Sequence, residues 1–285
     1  MWRAVLLSMS DIPFDLILVR GGGDLASGVV LRLHRSGLSV VISELPQPLA
    51  VRRAVAFSEA VYEGKHSVEG VTARRAQPIE METVLEAEEI PVLVDPGAEI
   101  LATRTGRRWA VVDGRMLKRP PAPLPVSVGL HIGLGPGFEA GSNCDAVIET
   151  RRSHTLGRVF WDGPAQADSG EPEGDPRRVL RAPASGTLQA LARIGDHIEP
   201  GQTVAVVQAG NGGEVPVVSL LGGVLRGLIR TGIPLSEGVK VGDVDPRDDP
   251  RFCFLVSDKA LAIGGGVLEA LLSGSGQHSR GPQKG

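Results

Sequence analysis

The chain has 285 residues, 42% of them apolar, and a formal net charge of −3 at neutral pH. That length is enough for one large core or two smaller ones. Six Phe, three Trp and one Tyr, with Arg interleaved among acids, leave neither stacking platforms nor a basic stripe for nucleic acid. No apolar run reaches membrane-spanning length. Two cysteines, Cys144 and Cys253, make a disulfide framework improbable and show no zinc-type spacing, so no metal site is expected. Residues 1–7 are too short for a signal-peptide core, and Met9 competes with Met1 as the start. The expectation is a cytoplasmic protein with no membrane or nucleic-acid partner.

Residues 15–19 read as a buried strand that runs straight into Gly21-Gly22-Gly23-Asp24 and an amphipathic helix with Leu25, Val29 and Leu33 at helical spacing. The spacing Gly21-x-Gly23-x-x-Ala26 fits the dinucleotide fingerprint G-x-G-x-x-G/A. One glycine allows a sharp turn and the next lets backbone approach a pyrophosphate at the helix N-terminus. Asp24 fits this poorly, because its charge repels phosphate; an Asx helix cap is its other role. A second strand over 38–42 leads to Glu44, about where an acid meets ribose hydroxyls.

Further along, 47–57 reads as a helix, 60–62 as a short strand and 78–89 as a helix with proline near its start. Short strands follow at 92–94 and 109–112. Glu44, Asp95 and Asp113 then end strands on one edge, although Asp95-Pro96-Gly97 is also a plain turn. Residues 15–119 therefore read as a Rossmann-like domain, closed by the proline-rich stretch 119–125.

Residues 126–178 read as an intermediate β segment. A strand over 126–132 enters the glycine loop Gly133–Phe138, with Gly135 and Gly137, and a strand over 146–148 enters a polar cluster. Glu149, Arg152, His154 and Arg158 of that cluster are candidate anion-binding or proton-transfer groups; a set of solvated surface residues is the alternative. Residues 162–178 read as loop.

Residues 179–250 carry an ungapped repeat. Gly186, Leu188, Gly195, Ile198, Gly201 and Val204 match Gly223, Leu225, Gly232, Leu235, Gly238 and Val241 at a constant offset of 37 residues (186 to 223, 204 to 241). Two such β-rich halves predict a barrel-sandwich-hybrid-like module, the biotinyl/lipoyl-like fold. The central hairpin at 208–216 has no lysine, which excludes a covalent carrier. Residues 251–272 supply a final strand and helix capped at Ser257 or Asp258, with Asp258 and Lys259 poised to close the cleft, and 273–285 read as a disordered tail. Gly264-Gly265-Gly266 either breaks that helix or marks a close backbone approach. The fold class is thus α/β: a Rossmann-like parallel sheet, a barrel-sandwich-like module and a C-terminal helix.

Several separated motifs together resemble one family. They are Arg20–Gly28 (RGGGDLASG), Glu44–Ala50 (ELPQPLA), Phe57–Gly64 (FSEAVYEG), Gly133–Phe138 (GLGPGF), Val147–Thr150 (VIET), Val241–Arg247 (VGDVDPR) and Ser257–Lys259 (SDK). The likeness is to the YqeB-type selenium-dependent molybdenum hydroxylase system proteins, from about residue 15 to 272. It implies an accessory role in maturing a xanthine dehydrogenase-type enzyme. The cofactor is unknown from sequence; the candidates are a nucleotide or molybdopterin dinucleotide, whose pyrophosphate suits the Gly21–Gly23 loop. The implied partners are the hydroxylase or its other accessory proteins, and an oligomer is open. Two alternatives remain. An NAD(P)-dependent oxidoreductase needs a Tyr-x-x-x-Lys pair, and Tyr62 is followed by Lys65 at the wrong interval. A scaffold with a vestigial loop would hold no ligand.

Overall fold

A computed structural model describes residues 12–104, 106–170, 174–210 and 212–277. Strand β1 (Leu16–Arg20) is buried at every position, as a strand covered on both faces must be. The strands β2 (Val40–Glu44), β3 (Lys65–Val68), β4 (Val71–Arg75), β5 (Ile90–Val94), β6 (Trp109–Asp113), β7 (Leu130–Leu134), β8 (Glu139–Ala140), β9 (Ala146–Ile148), β10 (Val159–Phe160) and β11 (Gly163–Pro164) follow. Nine of them form one mixed sheet in the order β10-β9-β7-β6-β1-β2-β5-β4-β3. Its seven central strands run parallel, and β3 and β10 close the two edges antiparallel. The chain steps outward from β1 on one side to β2, then returns to its other side with β6, which opens a crevice at their carboxyl ends.

Alternation along β1 sorts the core into two layers. Ile17 and Val19 pack beneath α1 (Asp24–Arg35), whereas Leu16 and Leu18 face Met81, Val84, Ile100 and Leu101 on the opposite side. Those four residues come from the short helices α3 (Met81–Glu86) and α4 (Ile100–Thr103); α2 (Ala60–Glu63) lies earlier in the chain. The last helix, α5 (Asp258–Gln277), returns to the α1 side and buries Ile263, Val267, Ala270 and Leu271 there. Its glycine triplet does not break it. A Cβ on Gly264 would meet Gly28 O at 3.0 Å, and one on Gly266 would collide with Gly157 O. The triplet lets α5 lie against α1 on one side and the 157 loop on the other.

The remaining strands are β12 (Val179–Arg181), β13 (Gly186–Ala190), β14 (His197–Ile198), β15 (Thr203–Ala209), β16 (Glu214–Val218), β17 (Gly223–Leu228), β18 (Pro234–Leu235) and β19 (Lys240–Asp245). They form two four-stranded sheets, β12-β19-β17-β14 and β16-β15-β13-β18. Strands are exchanged between the two repeat halves: β14 of the first half pairs with β17 of the second, and β18 pairs back with β13. The turn glycines Gly195, Gly201, Gly232 and Gly238 all have positive φ, between 80° and 101°. Leu188, Val204, Leu225 and Val241 meet in the shared interior.

Several elements differ from expectation. Residues 47–57 form no α-helix. Two 3-10 turns, Arg53–Val55 and Phe57–Glu59, stand within and beyond that stretch, because Pro48 has no N–H to give and Arg52 and Arg53 reach away to the repeat module. Residues 60–62 belong to α2, not to a strand. The hairpin β3–β4 was not expected; its mostly polar, exposed edge strand offers little apolar alternation. The segment 126–178 is not separate, since β7, β9 and β10 extend the main sheet; its strand starts at Leu130 and its loop holds β11 and the turn Pro176–Arg178. The final helix passes residue 272 to Gln277, so 273–277 are helical. The candidate starts Met1 and Met9, the hairpin residue Asn211 and the tail beyond 277 lie outside the described residues. Among the described residues no helix is long and apolar enough to cross a membrane.

Candidate functional site

The glycine loop sits at the carboxyl end of β1. Gly21, with φ 90°, turns the chain, and its N–H donates to Ser43 O at 2.8 Å. Gly22 is locked in place. Its N–H donates to Glu44 Oε2 at 2.6 Å, while its carbonyl accepts from Ser58 N–H and the Ser27 hydroxyl, both at 2.9 Å. Gly23 is different: a Cβ there would touch nothing within 4 Å. It precedes α1 with no side-chain cap, so the first N–H groups of that helix are left for solvent or a ligand.

Gly21 and Gly23 line a cleft of about 490 Å³. Its lining also includes Asp24, the apolar side chains of Leu25, Leu45 and Leu49, and Arg115 and Met116. Glu44 is buried, and each carboxylate oxygen already accepts one backbone N–H, Gly22 on Oε2 and Leu45 on Oε1 at 2.6 Å. Burial pushes its pKa above the ordinary value, and the two N–H donors oppose that shift.

Asp24 does not cap the helix. Its carboxylate takes Arg52 Nη1 at 3.0 and 3.1 Å, and Arg52 Nη2 donates to the carbonyls of Phe252 and Leu255. The neighbouring guanidinium offsets the charge that makes Asp24 awkward beside a phosphate. Beneath the cleft, fully buried Asp113 is gripped by Arg115 Nε at 2.9 Å and Arg20 Nη1 at 3.3 Å. Asp95 serves otherwise: it caps the turn into α4, accepting from Glu99 N–H at 2.9 Å and Ile100 N–H at 3.0 Å. Pro96, its neighbour, lines the cleft instead. The Tyr62 hydroxyl donates to Pro48 O at 2.8 Å, with Arg230 over its ring at 4.8 Å, which is a packing role.

The polar cluster after β9 does not assemble as expected. Glu149 is fully buried and holds two loops together, accepting from Arg151 N–H at 2.7 Å and Gln166 N–H at 2.8 Å. Arg152 forms a two-pronged pair with Asp258 at 2.5 and 2.8 Å, largely in solvent. The Arg158 Nε donates to His154 O at 3.2 Å, and the His154 side chain is exposed. None of these four side chains lines the glycine cleft. Gly135 and Gly137 are close-approach positions, against Thr150 and Arg119. Of the expected set only Lys259 lines the second cleft, of about 340 Å³, where Thr150, Arg151 and Pro136 join it. No group of three or more metal-ligating side chains occurs among the described residues.

The chain is 42% identical over 263 residues to the uncharacterized protein YqeB of Escherichia coli (strain K12), covering 90% of this chain. The chain belongs to the YqeB family. It spans 47% of that relative's length, about half. No family model matches the chain. Among solved structures, an aspartoacylase family protein from Mesorhizobium loti is 9% identical, with a TM-score of 0.26 over 81% of this chain and 84% of that one. A succinylglutamate desuccinylase/aspartoacylase from Rhodobacter sphaeroides is 11% identical, with a TM-score of 0.27 over 81% and 84%. Superposition that slight establishes no common fold.

In this YqeB family chain the residues that sequence reasoning missed are arginines. Arg20, Arg52 and Arg115 shape or neutralise the cleft, yet none stands in a periodic pattern. The one available signal was Arg20 itself, a charged residue ending an apolar strand, which burial forces to find a partner.

Proposed function

We propose that the chain is an accessory protein in the maturation of a selenium-dependent molybdenum hydroxylase, holding a nucleotide or dinucleotide-like cofactor moiety in the glycine cleft. Its parallel strands then act as a Rossmann-like unit and its repeat module as a barrel-sandwich hybrid that docks the hydroxylase or another accessory protein. It would work in the cytoplasm, where Cys144 and Cys253 stay free thiols. The carrying observation is the uncapped N-terminus of α1, twelve residues long, opening into a cleft at the point where strand order reverses. A pyrophosphate fits the residues present: helix N–H groups and Arg115 answer its charge, Glu44 can accept from a ribose hydroxyl, and Leu25, Leu45 and Leu49 offer an apolar surface to a base.

The test is complementation. In a host lacking its own copy, the wild-type chain should restore hydroxylase activity, and Gly23→Val, which fills only open space, should not. Full activity with Gly23→Val would remove the cleft from the function. Calorimetry with nucleoside diphosphates then reports binding directly.

A further inference from the structure

Ser58 sits in the 3-10 turn Phe57–Glu59, lines the glycine cleft and is fully buried. Its Oγ makes no hydrogen bond. Among the described residues no other hydroxyl is both cut off from solvent and without a partner. Ser27 gives the contrast, being fully buried as well and set against the same Gly22. The Ser27 hydroxyl donates to Gly22 O at 2.9 Å and accepts from Phe57 N–H at 2.8 Å, so it is filled both as donor and as acceptor. The neighbours of Ser58 in the Phe57–Gly64 motif are occupied too. Phe57 packs in the core, Glu59 takes Arg230 at 3.1 Å, and the Tyr62 hydroxyl donates to Pro48 O at 2.8 Å. Burying a hydroxyl with no partner costs its hydration with no hydrogen bond in exchange. An alanine would fill the space without that cost, so folding does not account for Ser58.

We propose that Ser58 is a ligand contact of the glycine cleft, which with Glu44 reads the free 2′,3′-diol of a ribonucleotide. The inference rests on the nucleotide reading above and narrows it to a ligand class. Ser58 N–H donates to Gly22 O at 2.9 Å, and Gly22 N–H donates to Glu44 Oε2 at 2.6 Å, so the two side chains are docked on one residue. Together they complement a vicinal diol. Each Glu44 oxygen accepts one backbone N–H and keeps a further lone pair, and a carboxylate only accepts. A serine hydroxyl donates and accepts, and rotation about χ1 re-aims it without moving the backbone. One ribose hydroxyl donates to Glu44, and the other exchanges a hydrogen bond with Ser58 Oγ. The Glu44 charge keeps a phosphate away from this end of the ligand. The cleft therefore takes nucleotides whose two ribose hydroxyls are both free and discriminates against deoxy and 2′-phosphorylated ones. A site built to hydrogen-bond a hydroxyl rejects the analogue that lacks it, because its own polar group is then left unpaired.

Calorimetry on the full chain with ADP, 2′-deoxy-ADP and 3′-deoxy-ADP tests this, using wild type, Ser58→Ala and Ser27→Ala with their melting temperatures. Wild type should bind ADP about tenfold or more tighter than either deoxy analogue. Ser58→Ala should melt at or above the wild-type temperature, since it removes an unpartnered buried hydroxyl, and still lose about tenfold in ADP affinity. One deoxy analogue, the one lacking the hydroxyl that Ser58 reads, should bind Ser58→Ala as tightly as ADP does. Ser27→Ala should melt lower, because Phe57 N–H loses its acceptor. Ser58→Cys keeps nearly the same shape with a weak hydrogen-bonding group, so its ADP affinity should fall too. Unchanged ADP affinity in Ser58→Ala and Ser58→Cys, or a preference for ribose that neither substitution alters, would overturn the contact while the nucleotide reading stands. A drop in the melting temperature of Ser58→Ala as large as that of Ser27→Ala would overturn it as well, because the hydroxyl would then be holding the fold. If neither ADP nor its analogues bind wild type, the nucleotide reading fails and the contact with it.

Discussion

Gly22 and Gly23 are chemically identical neighbours under opposite constraints. A Cβ on Gly22 would stand 2.8 Å from Ser58 N, in contact with backbone that cannot yield. Gly22→Ala should therefore lower stability by about 1–3 kcal/mol, the usual cost of overpacking, seen as a lower melting temperature. Gly23 has φ −70° and ψ −178°, open to any residue, and faces empty space. Gly23→Val should keep the wild-type melt while losing nucleoside diphosphate binding. Glu44 adds a pH test. An acid whose native pKa lies above its unfolded value binds its proton more tightly when folded. The buried charge thus costs stability above the ordinary value of 4.5, and that cost is relieved as pH falls through the raised native value. Binding that needs the carboxylate should weaken over the same fall. Glu44→Gln should reduce affinity by roughly 1–3 kcal/mol at neutral pH, from a lost charged hydrogen bond, and flatten the pH profile; calorimetry from pH 7 to 5 checks both.

At the scale of elements, α5 offers three adjacent glycines with three different surroundings. Gly264 lies on α1, Gly266 lies on Gly157 O, and Gly265 meets nothing within 4 Å. Gly265→Ala should raise stability by about 1 kcal/mol through helix propensity alone. Gly264→Ala and Gly266→Ala should lower it despite the same gain, because the helix must lift; thermal melts of the three variants separate propensity from packing. That triplet also marks how far local pattern carries. The sequence posed the alternatives of a broken helix or a close approach, and only the position of α1 decides between them. β1 and its loop were legible because an apolar run and a glycine spacing are local. The repeat was legible because each half carries the same turns. The stretch 47–57 was not, since its arginines answer to carbonyls 175 to 203 residues away. The site divides likewise. Glu44 ends a strand at a readable distance, whereas Arg20 and Arg115 acquire their places only when β6 returns beside β1, and Arg52 only when residues 252–255 come against the start of α1.

The main sheet and the repeat module are joined through the segment between β2 and β3. Arg53 Nε donates to Leu228 O at 2.6 Å, Arg230 reaches Glu59 at 3.1 Å and Glu63 at 2.5 Å, and Val51 packs against Gly227. Arg52 is the most committed of these groups. Its side chain is 7% exposed and ties the start of α1, through Asp24, to the carbonyls of Phe252 and Leu255 that lead from the repeat module into α5. Arg52→Met keeps the length and removes the charge. It leaves Asp24 without its cation at the mouth of the glycine cleft and two carbonyls without a donor. Breaking this half-buried pair and leaving two carbonyls without a donor costs about 1–3 kcal/mol, and the loss falls on the joint between the two parts. Denaturant unfolding followed at separate probes in the sheet and the repeat module should then show two midpoints in place of one. Nucleotide affinity should fall as well, because the exposed Asp24 carboxylate would again repel a phosphate. The control is Arg251→Ala, whose side chain is 82% exposed in its pair with Asp249 and should leave the unfolding curve unchanged. A single unshifted transition in Arg52→Met would mean that the two parts are held by their apolar contacts alone.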